Sequence, residues 1–393
     1  MASASHYRLN SCRAFAAALA AAILLAAGNA SAFISVTDFG ATGDNRTDCT
    51  KAIQAAINSA QAGDTIYFPA GIYLVSDPIV TSHLRGLRLY GDGPYASAIV
   101  GTSGVAGKPV LQFVDDVDDT VEDLSIWGQM NNPVSAGIES DSDSGGPATH
   151  LTVRDVQIGS PASNNVVDGV KFVAAPGSET ANDQGFFDNV MIVNFTHAGF
   201  SFTHPSADLH TIVGGIVEGG AIAVYSEGAS FKMTSTSMLV GKVNFDLENS
   251  TDPNSPGYQH AILIANTSSE GNAALLQTGT DPMMITMTGI DEKGSAWNIP
   301  ILTFASSGSL VINNSFFFYL GQNVALQFVG GPSQTINLSN NFFALKNVTI
   351  DGGSFVSDGN CWQYPINLTQ QSSPHIQSTD QCNPLQSNTH GRG

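Results

Sequence analysis

Val121-Glu-Asp-Leu-Ser-Ile126, Val153-Arg-Asp-Val-Gln-Ile158 and Phe187-Asp-Asn-Val-Met-Ile192 are three versions of one hexapeptide. Each opens on an apolar residue, continues with a charged side chain and then Asp or Asn, and ends on alternating apolar positions. A second pattern follows each of them: Ala136-Gly-Ile138, Asp168-Gly-Val-Lys-Phe172 and Ala198-Gly-Phe-Ser-Phe202. Their glycines, Gly137, Gly169 and Gly199, stand 32 and 30 residues apart. Looser members are Gly214-Gly-Ile-Val-Glu218, Gly220-Ala-Ile-Ala-Val224, Asn323-Val-Ala-Leu-Gln-Phe328 and Lys346-Asn-Val-Thr-Ile350. Self-similarity at 20–50 residues is the mark of a solenoid. Each unit is too small to bury its own apolar face, so stacking must supply the core. The alternative is an antiparallel sandwich. Asn-Gly and Asp-Gly hairpin turns are few, however, and Asp123, Asp155 and Asn189 share one register, as turn residues stacked from coil to coil would. The fold expected is all-β, a single-stranded parallel β-helix.

Composition agrees. Of 393 residues only 12% are charged, and glycine occurs 40 times. A helix-rich chain would carry more Lys, Glu and Arg, whereas Gly, Asn, Ser, Thr, Val and Ile favour strands and turns. A solenoid also accommodates this length without enlarging one globular core.

Outward from the repeats, the N-terminal segment opens with Ile34-Ser-Val-Thr-Asp-Phe-Gly-Ala-Thr-Gly-Asp44. Ala52, Ile53, Ala56 and Ile57 then line one face of a helical pattern over about 48–60, with Asp48 in the N-cap position. Two short strands flank the Pro-Ala-Gly turn within Thr65–Val75. Asp38-Phe39-Gly40-Ala41, Gly43-Asp44, Asp48, Ala52-Ile53, Gly63, Phe68-Pro69-Ala70-Gly71, Tyr73 and Gly91-Asp92-Gly93 with Ala98-Ile99-Val100 resemble the opening of the pectate-lyase superfamily, among its rhamnogalacturonase/epimerase-like and tailspike-type members. The resemblance implies a right-handed parallel β-helix whose open end is covered by the short helix. It also implies a polysaccharide as partner. It is dense over residues 33–100 and only patterned beyond. The paired Asp, Gly-His-Gly and Arg-x-Lys motifs of polygalacturonases are missing, as is the cation-rich signature of calcium pectate lyases, so no catalytic residue carries over by motif.

Arg8 and Arg13, the apolar run Ala14–Gly28 and Ala30-Ser-Ala32 read as a signal peptide over residues 1–32. The apolar run is shorter than the roughly 20 residues a membrane span needs. A secreted protein, extracellular or periplasmic and free of the membrane, is expected. After its removal 12 cations face 33 acids. Nucleic acid is excluded as a partner, because phosphate binding requires clustered Lys and Arg. The β-helix is expected over 33–360 and a polar tail over 361–393, without order past about Asn383. Cys361 and Cys382 are expected to close a loop in that tail, with Cys49 buried and unpaired in the cap; pairing of Cys49 with either tail cysteine is the alternative. Oligomeric state is not legible.

Candidate chemistry follows from stacking. Strand neighbours lie about 4.8 Å apart, so carboxylates on successive coils approach the roughly 5–5.5 Å of a retaining glycosidase, and those two coils apart the roughly 6.5–9.5 Å of an inverting one. The hexapeptide register puts Glu122, Arg154 and Asp188 in one row, either as a salt-bridge ladder or as an acid/base group with Arg154 holding a uronate. Asp188 is the first candidate catalytic residue, with Glu218, His204 and Asp183 beside it; His197, Arg154, Trp127 and Tyr319 are candidate substrate contacts. His210 belongs to the same histidine-rich stretch, and histidine suits proton transfer near neutral pH. Asp115-Asp116-Val-Asp118-Asp119 is either a Ca²⁺ site or an exposed turn. No other metal or cofactor is read. Asp291-Glu292-Lys293 with Trp297 is expected as a solvated loop, and Phe316-Phe-Phe318 as internal stacking. The leading expectation is a glycoside hydrolase or polysaccharide lyase. A non-catalytic glycan-binding protein comes second and a sugar epimerase third.

Overall fold

Every hexapeptide becomes two short strands with a sharp turn between them. In the computed structural model, Thr120–Glu122, Thr152–Arg154 and Phe186–Asp188 pair in parallel, and Ser125–Gly128, Gln157–Ile158 and Met191–Val193 do the same on a second face. The intervening Asp123, Asp155 and Asn189 have φ of 55°, 51° and 53°. That left-handed conformation disfavours most side chains and is most accessible to Gly, Asn and Asp. The same turn is later held by Gly214, Asn266, Gly289, Asn314, Asn340 and Gly359, all with positive φ. The recurring Asp/Asn is therefore a backbone requirement. Asn189 reinforces it by donating from Nδ2 to Asp155 Oδ1 at 2.7 Å.

The structure describes residues 31–142, 146–160, 162, 164–174, 181–250, 260–271, 274–294, 300–319, 325–372, 374–380 and 382. Among these the chain winds through three parallel sheets of 14, 13 and 12 strands. Each coil visits the first sheet, crosses the left-handed turn to the second, and passes to the third before climbing. The first sheet's inward row runs Ile66, Leu89, Val121, Val153, Phe187, Ile212, Met233 and Ile264, all buried. On the second sheet Phe317, Phe343 and Trp362 stack inside with ring centroids 4.9 and 4.4 Å apart. Alternation along each strand sends the residues between these to the outside.

Gly137, Gly169 and Gly199 lie within third-sheet strands, at the inner corner those strands make with the second sheet. A Cβ at each would lie within 2.4–2.5 Å of Ile158, Ile192 and Val217 side-chain carbons. The repeated glycine therefore lets the second sheet's branched residues fill the corner.

One α-helix, α1 (Thr50–Ser59), lies at the N-terminal end and buries Ile53, Ala56 and Ile57. Asp48 does not occupy the N-cap; Cys49 does. Asp48 ends a strand yet still accepts from Thr50 N–H at 2.9 Å, so it serves the first turn from one position upstream. Cys49 is buried and free, and Cys361 pairs with Cys382.

Two expectations need correction here. The tail begins later than residue 361. Cys361–Trp362, Asn367–Gln371 and His375–Thr379 extend the second, third and first sheets in turn. Their polar composition reflects exposed positions at the end of the stack. Asp380 closes this end, accepting from Asn360 N–H, Trp362 Nε1–H and the Ser357 and Ser378 hydroxyls. Asp115, Asp116 and Asp119 are buried rather than in an exposed turn. Asp116 and Asp119 accept from the Leu84 and Leu87 amides of the preceding coil, and among the described residues no three acidic, histidine or cysteine side chains converge on a metal position. Residues 1–30 of the expected signal, and the tail beyond Asn383, lie outside the described residues.

Candidate active site on the third sheet

The third sheet carries an outward row of polar and ionisable residues. Strands Val134–Asp141, Val166–Val173, Ala198–Phe202, Ile222–Ser226 and Val243–Leu247 align Glu139, Lys171, Ser201, Tyr225 and Asp246 on consecutive coils. Their inward neighbours Val170, Phe172, Phe200, Phe202, Val224 and Phe245 are buried and fix the register, since a one-residue slip would turn each strand inside out.

His197 enters this row from the turn before Ala198. Its Nδ1 lies 2.6 Å from Asp168 Oδ1, which also accepts from Ala198 N–H at 3.1 Å. One buried carboxylate thus orients both the ring and the backbone that carries it. The Asp168 hydrogen bond raises the His197 pKa against the opposing effect of burial. The His197 ring meets Tyr225 edge-on, centroids 5.1 Å apart. Tyr225 donates its hydroxyl to Glu227 at 2.7 Å. Burial first, then Glu227, push the phenol well above its ordinary range, so it stays protonated.

Asp246 is the unusual group. Burial, reinforced by the neighbouring Glu248, pushes its carboxyl up to about 6. At the other end Lys171 Nζ lies 3.8 Å from Glu139, and Gln112 bridges Glu139 and Asp141 with two 3.2 Å bonds. Burial raises the Glu139 pKa, opposed by Lys171. Between these ends the Ser201 hydroxyl is buried without a hydrogen-bond partner. The row therefore combines a carboxyl protonated near pH 6, neighbouring carboxylates, one ammonium and an imidazole–phenol wall. Environments that push paired carboxyls apart mark acid/base assignments.

The candidates read from the sequence are scattered. Glu122, Arg154 and Asp188 do share a row, but on the first sheet. Arg88 binds Glu122, and Arg154 lies 3.9 Å from Glu122 and 3.4 Å from Asp188, forming a ladder of mutually neutralising charges. Glu218 is exposed on the second sheet. His204 is buried in a turn, its Nδ1 accepting from Ser206 N–H at 3.0 Å. Asp183 stands in the turn ahead of Phe186 and accepts from Gln184 at 3.4 Å. His210 faces the core between Phe172 and Phe202, 4.2 and 4.4 Å away. Asp188, Glu218 and His204 thus lie on separate faces and form no single constellation. Trp127 faces outward on the second sheet, packed on the cluster of Leu74, Ala98 and Val100. Tyr319 ends a second-sheet strand. Of the candidates, His197 joins the third-sheet row, as does Tyr225, which the sequence also offers as an aromatic to stack on a sugar ring. Asp291–Gly294 is a strand and not a loop, with Glu292 buried; Trp297 is outside the described residues. Phe317 is internal, whereas Phe316 and Phe318 face solvent. Asp168, Lys171, Glu227 and Asp246 are not singled out by the sequence reading. Their signal was available: alternation within the quoted third-sheet motifs already sends Lys171 and Ser201 outward.

Residues 33–314 match the family described as rhamnogalacturonase A/epimerase, pectate lyase-like. The chain belongs to that family. Shorter stretches are similar to parts of curated proteins. The chain is 59% identical over 99 residues to mannuronan C5-epimerase AlgE5 of Azotobacter vinelandii, covering 24% of this chain and 9% of that protein. It is 41% identical over 87 residues to alginate lyase 7 of the same organism, covering 22% and 9%. It is 47% identical over 51 residues to a probable glucan endo-1,3-beta-glucosidase of Arthroderma benhamiae, covering 13% and 6%. The chain spans less than a tenth of each of these relatives. Among solved structures, the Azotobacter vinelandii mannuronan C-5 epimerase AlgE6 A-module aligns with TM-score 0.51 at 18% identity, over 90% of this chain and all of that one. The tailspike of Acinetobacter phage vb_AbaP_AS12 aligns with TM-score 0.58 at 11% identity, over 88% and 62%. These two share the right-handed parallel β-helix.

Proposed function

We propose that this protein is an exported glycoside hydrolase that cleaves a polysaccharide on the outer face of its third sheet. The observation that carries the proposal is Asp246, a half-buried carboxyl paired with Tyr225 in the outward row, which burial and the neighbouring Glu248 push up to about 6. A general acid needs its proton at working pH, and a neighbouring ionised carboxylate supplies the base or nucleophile. Asp246 protonates the departing glycosidic oxygen. Glu227, one coil below Glu248 by the pairing of Ser226 with Leu247 and held by the Tyr225 hydroxyl, serves as the second carboxylate. His197, fixed by Asp168, and Tyr225 form the wall against which a sugar packs. Relatives named as polysaccharide lyases, epimerases and glucosidases support the substrate class. The excess of acids in the row favours a neutral glycan over a polyuronate, because like charges repel.

Lys171 and the His197–Asp168 pair favour a second reading, proton abstraction from a uronate with Lys171 facing its carboxylate, which leads to a lyase or an epimerase. A polysaccharide panel separates the two. The purified protein is incubated with neutral glucans, galactans, pectate and alginate, and products are read both for new reducing ends and for the ultraviolet absorbance of unsaturated sugars. Reducing ends without absorbance support hydrolysis. Unsaturated product, or epimerised polymer without cleavage, replaces it with the second reading.

A further inference from the structure

On the side of the molecule formed by the first and second sheets, a cleft of about 270 Å³ opens beneath the loop that joins Arg88–Gly91 to Ser97–Gly101. Pro94 and Tyr95 of that loop form its outer wall, and Asp123, Asp155, Gln157 and Met191 its floor. Tyr95 is 80% exposed, yet its hydroxyl reaches Met191 Sδ at 3.9 Å, so the ring lies along the sheet instead of extending into solvent. Gln157 is only 4% exposed, and its Nε2 donates to Gly159 O. Its Oε1 is buried and accepts no hydrogen bond. A buried acceptor without a partner is unfavourable by about 1–3 kcal/mol, which makes Gln157 the feature that packing alone does not explain. The coil-turn geometry explains why Asp123 and Asp155 are Asp or Asn, but not why both are acids. Burial and the neighbouring Asp155 raise the Asp123 pKa.

We propose that this cleft is a second saccharide-binding site, taking one neutral sugar residue of a glycan chain. A flat aromatic wall suits the apolar face of a sugar ring. Two carboxylates and two amides, Gln157 and Asn189, suit its hydroxyls, and charge-assisted hydrogen bonds of this kind are the strong ones. A uronate is disfavoured by Asp123 and Asp155. A bare cation would use the oxygens but leave the Tyr95–Pro94–Met191 wall without a role. The volume is near the lower end for ligand pockets, roughly 300–1,000 Å³, which fits one sugar and not a length of chain. The ligand class rests on the polysaccharide reading above, but the site lies on other sheets and is independent of the hydrolytic step.

Affinity electrophoresis tests it, in native gels containing laminarin, galactomannan or xylan, with alginate as the polyanionic control. All proteins carry Asp246→Asn so that the matrix survives. The expected result is retardation by at least one neutral glycan, weakened at least tenfold by Tyr95→Ala and severalfold by Asp155→Asn. Tyr95→Ala alone, in otherwise unaltered protein, should keep its rate on short oligosaccharides and lose rate on polymer. Four results overturn the proposal: no retardation by any neutral glycan, retardation by alginate only, retardation untouched by Tyr95→Ala, or saturable Ca²⁺ binding that depends on Asp155 with no glycan binding. If hydrolysis fails but Tyr95-dependent retardation persists, the cleft stands and the reaction falls. If hydrolysis holds and retardation ignores Tyr95, the reverse is true.

Discussion

Asp119 makes stability depend on pH in a way that can be worked through. Its carboxyl is 2% exposed and accepts from Leu87 N–H at 2.8 Å. Burial, with Asp116 next to it, pushes its pKa from 3.8 to about 8. The folded protein therefore holds a proton on Asp119 that the unfolded chain releases at a much lower pH. The stabilisation is complete below about pH 4 and is lost as pH rises through about 8. At 1.36 kcal/mol per pH unit, the full swing is about 6 kcal/mol. Asp119→Asn keeps an acceptor for Leu87 and has nothing to ionise. Denaturant unfolding followed by circular dichroism from pH 5 to 9 should show wild type weakening by up to about 1.4 kcal/mol per pH unit, and the variant nearly flat and more stable above pH 8. Because solenoids open coil by coil, hydrogen exchange at the Leu84 and Leu87 amides provides the local readout. A wild type equally stable at pH 5 and pH 9, or a variant with the same slope, would refute the assignment.

His210 should act in the opposite direction. Burial lowers its pKa to about 3, so stability should fall as pH drops from about 6.5 toward 3, visible as an acid-side decline in Tm. Gly169→Val, forcing side-chain carbon against Ile192, should destabilise by several kcal/mol and lower Tm; an unchanged Tm contradicts the corner-packing argument. Asp380→Ala removes acceptors from Asn360, Trp362, Ser357 and Ser378. It should speed hydrogen exchange in the last coils and leave α1 untouched. The exposed Arg154–Asp188 pair should contribute little, about 0–1 kcal/mol, and the buried Glu122 keeps its Arg88 partner, so Arg154→Met should leave Tm within a few degrees and should not alter activity.

The fold was legible because two periodic demands are written into the chain. One is the left-handed turn that selects Asp123, Asp155 and Asn189; the other is the corner that selects Gly137, Gly169 and Gly199. The site was less legible for a physical reason. Spacing aligns residues within one sheet but does not say which of three sheets faces substrate, so Asp188, Glu218 and His204 looked like neighbours while occupying separate sides. The quality that distinguishes Asp246 is burial by adjacent coils, and no local motif encodes it. Asp115 to Asp119 illustrates the same point. A run of acids reads as solvent-exposed until the preceding coil's Leu84 and Leu87 amides are seen to point at it.

The most direct measurement compares kcat/KM for Asp246→Asn and Asp188→Asn on whichever polysaccharide the panel selects. Asp246→Asn should lower it by at least a hundredfold, in line with the 10²–10⁴ contributed by a general acid, and wild-type activity should fall as pH rises past about 6, where Asp246 loses its proton. Asp188→Asn should retain wild-type activity. Full activity in Asp246→Asn, or loss confined to Asp188→Asn, would move the chemistry off the third sheet.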